Sequence, residues 1–252
     1  MKFSACIEAL FSDREFTEGM ELASQAGLSA YEFWGWWNKD LKAIRSKQDE
    51  LGLTPAAFCT RFASLVDPTR RNDYLERLKT SIEAAHFLGC KTLITQVGNE
   101  LPGVSRDAQL TSLIEGLRAC IPLLTDAGIT LVYEPLNTKV NHKGYFLYSS
   151  DEALFVAEQV DSPSVKILFD FYHQQIMEGD LTRNVLRLLP HVGHVHCAGN
   201  PGRNELDIGE IRYDGLFDAL DEAGYAGYAG LEYWPTRDVM DGLRELAERQ
   251  YK

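Results

Sequence analysis

Short apolar runs rich in β-branched and aromatic residues alternate along the chain with longer stretches whose apolar positions recur every three or four residues. The short runs are KFSACIE, AYEFW, TPAAFC, TLITQVG, TLVYEP, VKILFDF, HVGHVHC and YAGLEYW. Between them, Leu75, Leu78, Ile82 and Ala85 fall on one face of a helix predicted over 74–88. Leu110, Leu113, Leu117 and Ile121 repeat the stripe in the next segment, and Leu124 nearly continues it. Gly27, Gly52, Gly89 and Gly128 each close a helical pattern shortly before a strand, where a helix end favours a left-handed residue. Eight strands alternating with about eight helices predict a single-domain α/β fold over 1–252, a (β/α)8 TIM barrel. A doubly wound open sheet is the alternative. It would carry fewer strands, and no GxGxxG turn follows the first strand to support a dinucleotide site.

In a parallel barrel, binding groups gather where the strands end at their C-terminal rim. Period-two alternation puts Thr130, Val132 and Glu134 on one face of the fifth strand, with Glu134 last before Pro135. The sixth ends with Asp170 on the same face as Leu168. In the seventh, His194 and His196 share a face, and His196 lies nearer the end. The eighth closes on Glu232 before Trp234-Pro235. Four successive strands thus end in Glu134, Asp170, His196 and Glu232, each separated by one strand-helix-strand unit. A lone acidic strand end is ordinarily a helix cap or an ion-pair partner. Four on the inward face predict a metal centre, and three carboxylates with one imidazole suit Mn²⁺, Mg²⁺ or Co²⁺. A register slip of one residue would turn all four outward.

Other positions carry less. His173, three residues after Asp170, either orients a substrate oxygen or merely caps or packs. Arg203, on the loop after the seventh strand, suits capture of a carboxylate or a hydroxyl pair, the alternative being a surface arginine. Glu32 ends the second strand as a hydrogen-bonding partner for the rim or as a catalytic group. Trp34, Trp36 and Trp37 follow it, to wall a sugar pocket or to form a homo-oligomer contact. His142 and Lys143 either reach over the site or stay solvated; Cys197 alternates away from His196 and belongs to the core.

Bulk properties narrow the field. A hydrophobic content of 45% and a charged content of 25% are ordinary for a globular chain. A net charge of −12 repels phosphate backbones, so no nucleic-acid partner is expected. Five cysteines without paired spacing predict a reduced, cytoplasmic protein, and no run is long enough to span a bilayer.

Four segments carry a resemblance: YEPLN (133–137), DFYHQQIMEGDLT (170–182), GHVHCAGNPGRNELDIGEIRY (193–213) and GLEYWP (230–235). With them the chain resembles the xylose-isomerase-like superfamily, and within it the hydroxypyruvate isomerase group. The first half matches mainly in strand-helix rhythm and in the opening KFSA. The resemblance implies that Glu134, Asp170, His196 and Glu232 hold one divalent metal ion. It implies that Glu134 and Glu232 also transfer protons, and that His173 and Arg203 contact the substrate. Hydroxypyruvate isomerases tend to carry Gln where this chain has His196, whereas related ketose 3-epimerases carry His. The expected activity is isomerisation of a small hydroxy-carbonyl acid, such as hydroxypyruvate to tartronate semialdehyde. The alternatives are a ketose 3-epimerase acting on a neutral sugar, a metal-dependent dehydratase or decarboxylase, a sugar-binding barrel, and a repair endonuclease, which the charge disfavours.

Overall fold

The computed structural model describes residues 1–250. Its strands are β1 (Lys2–Cys6), β2 (Ala30–Phe33), β3 (Thr54–Cys59), β4 (Thr92–Thr95), β5 (Thr130–Tyr133), β6 (Val165–Asp170), β7 (Val192–Cys197) and β8 (Tyr228–Leu231). They pair in parallel in chain order, and β8 returns to β1 to close the barrel. The predicted stripes form the helices Arg71–Leu88 and Arg106–Ala127, which bury Leu78, Ile82, Leu113 and Leu117 against the sheet. Gly52, Gly89 and Gly128 cap their helices in the left-handed conformation, with φ of 67°, 78° and 63°. A side chain there would strain the turn into the following strand.

Two apolar layers result, one between strands and helices and one inside the barrel. The inner cluster is small: Ala57, Ile94, Val132 and Leu168, contributed by β3 to β6. The other side of the interior holds Ser4, Glu32, His194 and Gly230, from β1, β2, β7 and β8, with all three side chains buried. Glu32 therefore lies inside the barrel, one residue short of the end of β2. A register irregularity between Tyr31 and Glu32 marks its position, a local feature that re-aims side chains. All five cysteines are free thiols, and Cys197 is fully buried away from the interior. Among the described residues no helix is long and apolar enough to cross a membrane.

Candidate active site

The rim groups meet because strand register aligns them. Asp170 pairs with His196 across β6 and β7, and His196 with Gly230 across β7 and β8. Glu134 and Glu232 each stand one residue beyond their strands, but their amides still extend the ladders, donating to the Thr95 and Cys197 carbonyls. Asp170 also begins the helix Phe171–Met177, its Oδ1 accepting the His173 amide at 2.9 Å. The cap and the rim position are thus the same residue. One ligand atom from each of Glu134, Asp170, His196 and Glu232 lies within 4.8 Å of all the others. His196 Nδ1 faces the three carboxylates, 3.1 Å from Glu232 Oε2, 3.7 Å from Glu134 Oε1 and 4.0 Å from Asp170 Oδ2.

The donor set suits a divalent cation on two grounds. Three carboxylates packed this closely repel one another unless a positive charge lies among them. In addition, His196 Nδ1 and Glu134 Oε1 are buried without a hydrogen bond of acceptable geometry, and an unpartnered buried polar atom is costly. A buried His/Glu/Asp cluster fit for a metal ion therefore occupies the mouth of the barrel.

The two glutamates differ in their surroundings. Burial pushes the Glu134 carboxyl up to about 7, against the opposing pull of His196. Burial would also raise Glu232, but Arg203 and His196 outweigh it and hold that carboxyl below the usual range. Arg203 Nη2 lies 2.5 Å from Glu232 Oε2, and the Trp34 indole donates to Oε1 at 2.6 Å. Arg203 is itself clamped, its guanidinium 5.3 Å from the Tyr172 ring centroid and 5.0 Å from that of Trp234. It adopts φ of 59°, a left-handed turn that swings the side chain back over the rim. Its Nε has no hydrogen-bond partner among the described residues. Backbone bonds tie this turn to the loop after β8: Trp234 N donates to the Arg203 carbonyl at 2.9 Å, and Asn204 Nδ2 to the Trp234 carbonyl at 2.8 Å.

His173 sits on the opposite wall, buried. Its Nδ1 accepts the Asn137 amide at 3.1 Å, so the neutral ring carries its proton on Nε2. Burial favours that neutral form, lowering its pKa to about 4. Among the described residues Nε2 has no hydrogen-bond partner, which leaves a donor beside a cavity of about 450 Å³ that His173 helps to line. Trp34, Trp37, Phe62, Leu136 and Trp234 give the same cavity an aromatic and apolar wall. Trp36 points elsewhere, donating to Ser81 Oγ on a neighbouring helix. His142 reaches the cavity and lies 5.2 Å from the His173 ring, whereas Lys143 is exposed. The bond from Trp34 to Glu232 and the Asn137 contact that orients His173 are absent from the sequence reading. Both join residues on different strands or loops, and neither leaves a spacing signal.

A family model described as "xylose isomerase-like TIM barrel" matches residues 20–250. The chain belongs to that family. It is 31% identical to the hydroxypyruvate isomerase of Escherichia coli K12, over 97% of each chain. It is 32% identical to the 2-oxo-tetronate isomerase of Pectobacterium atrosepticum, covering 96% of this chain and 95% of that one. Within the family it thus groups with the hydroxypyruvate and 2-oxo-tetronate isomerases. A solved structure of an AP endonuclease family 2 protein from Brucella melitensis superposes with a TM-score of 0.92, at 31% identity and 98% coverage of both chains.

Proposed function

We propose that this protein is a metal-dependent isomerase of small hydroxy-oxo acids, interconverting hydroxypyruvate and tartronate semialdehyde or a close homologue. The observation that carries this reading is the pair Glu134 and Glu232, which belong to a donor set suited to a cation and face one cavity. Glu134, Asp170, His196 and Glu232 would hold one divalent ion, Mn²⁺, Mg²⁺ or Co²⁺. Such an ion supplies Lewis-acid stabilisation of the negative charge that develops on adjacent oxygens during enolisation.

The remaining work falls to side chains. Isomerisation moves one proton from C3 to C2 and one from the C3 oxygen to the C2 oxygen, through an enediolate. A carboxylate beside the cavity takes the carbon-bound proton and returns it to the neighbouring carbon. Glu134, whose carboxylate lines the cavity, is placed to act in both directions. Glu232, held ionised by Arg203 and Trp34, faces the same space as the second proton-transfer group. His173 Nε2–H is placed to donate to a substrate oxygen, and the unpartnered Arg203 Nε–H to capture the substrate carboxylate.

The net charge and the three clustered carboxylates disfavour a polyanionic nucleic acid in this cavity. His196 favours one second reading, a ketose 3-epimerase, because related ketose 3-epimerases carry His at this position. The deciding experiment incubates the purified, Mn²⁺-loaded protein in D₂O with hydroxypyruvate, 2-oxo-tetronate and neutral ketoses. Isomerised acid is expected, with deuterium entering the receiving carbon to the extent that the carboxyl proton exchanges with solvent before its return. Turnover of ketoses alone would replace the acid assignment with the epimerase, and CO₂ release or a dehydrated product would replace it with a lyase.

A further inference from the structure

Beneath the metal-binding cluster lies a second buried group that the reaction leaves without a task. Glu32 projects into the barrel with both carboxylate oxygens engaged on one side of the interior. Ser4 Oγ donates to its Oε2 at 2.8 Å, and His194 Nε2 approaches the same oxygen at 2.9 Å. Its Oε1 faces His196 Nε2 at 3.1 Å. That contact is bent, yet neither atom has another hydrogen-bond partner among the described residues, and both are buried.

Space for the carboxylate is built in. A Cβ added at Gly230 would stand 2.2 Å from Glu32 Oε1 and 2.6 Å from Oε2. Only a glycine on β8 lets a side chain from β2 cross to β7. Glu32, His194 and His196 are themselves close enough to hold an ion. However, Glu32 Oε2 and His194 Nε2 already satisfy each other, and His196 turns its other nitrogen to the upper cluster.

We propose that Glu32 is a positioning residue that sets the tautomer and the orientation of His196. His196 Nε2 and Nδ1 each lie 3.1 Å from a carboxylate oxygen, of Glu32 and Glu232 respectively. A cation among Glu134, Asp170 and Glu232 would take the Nδ1 lone pair, so the ring proton sits on Nε2 and is donated down to Glu32, which as a carboxylate only accepts. Ser4 and His194 hold the carboxylate against rotation, so the imidazole is presented to the cation in one orientation. The inference rests on the reading of the upper cluster as a cation site.

The test measures Mn²⁺ affinity of metal-stripped protein by electron paramagnetic resonance, for wild type, Glu32→Gln, His196→Gln and the double variant. Loss of an outer partner of a metal-bound histidine should weaken Mn²⁺ by about 10–100-fold. In the His196→Gln background the same change should alter affinity by no more than about twofold, because its target is gone. An unchanged affinity in Glu32→Gln, or an equal loss in both backgrounds, overturns the positioning role while leaving the cation site intact. Wild-type protein that takes up no Mn²⁺ overturns both. Should Glu32→Gln fail to fold, isotope-labelled histidine in the cadmium-loaded wild type answers the same question by NMR. Metal coupling to His196 Nδ1 with the proton on Nε2 is expected, and coupling to Nε2 refutes the proposal.

Discussion

The barrel interior has two halves built on different physics, and the rim above each half inherits the difference. On the side of β3 to β6, Ala57, Ile94, Val132 and Leu168 fill the space by apolar packing. On the side of β1, β2, β7 and β8, Ser4, Glu32 and His194 fill it with a hydrogen-bonded array. Glu134 and Asp170 stand above the apolar half, His196 and Glu232 above the polar one. Glu134 has only hydrocarbon below it, and burial raises its proton affinity. Glu232 has Arg203 and Trp34 as partners and stays ionised. Two carboxylates of identical chemistry are set apart by what lies beneath and beside them.

The largest effects should come from erasing that difference at the rim. Glu134→Gln and Glu232→Gln should each lower kcat by about 10²–10⁴-fold, a loss that added Mn²⁺ does not restore. Steady-state rates at saturating metal check this, and a variant with near-normal turnover removes its residue from proton transfer. Chelation follows: dialysis against EDTA should abolish activity and lower Tm, with Mn²⁺ recovering both, since a ligand that binds only the folded state stabilises it. An unchanged Tm would mean that the cluster holds no ion.

The halves themselves can then be separated. Leu168→Ala should cost about 2–5 kcal/mol of stability in denaturant titrations, as buried leucine truncations do, with Mn²⁺ affinity unaffected. Ser4→Ala removes one donor to Glu32 and should do the reverse, lowering stability by only about 1 kcal/mol while weakening Mn²⁺ measurably. If both variants shift stability and affinity together, the interior acts as one unit and the comparison fails. The smallest effect is one of specificity. Arg203→Ala should raise KM for acid substrates about tenfold more than for neutral sugars, the value of one charge-assisted hydrogen bond. Equal increases would count against carboxylate capture.

The barrel and its rim were legible because both depend on local periodicity. Alternation along TLVYEP and VKILFDF decides which side chains point inward, and Pro135 follows closely on the end of β5. Glu32 was harder. Its position follows from a register irregularity against β3 and from a vacancy at Gly230, across the barrel. Neither is a property of the residues around it. The same holds for Trp34, whose indole reaches Glu232 from the far side of the β1–β2 pair, and for His173, whose tautomer is set by a backbone amide 36 residues upstream. Position was readable one strand at a time, whereas proton placement belongs to pairs.

The backbone bonds between the turn at Arg203 and the loop at Trp234 bear on how such a site can be remodelled. Because Trp234 N and the Arg203 carbonyl, and Asn204 and the Trp234 carbonyl, are mutually engaged, the two loops form one module. A loop transplanted alone from a relative would arrive without its counterpart and leave the guanidinium unclamped. Substrate range in this scaffold should therefore be exchanged by grafting the β7 and β8 loops together, with the rim carboxylates left in place.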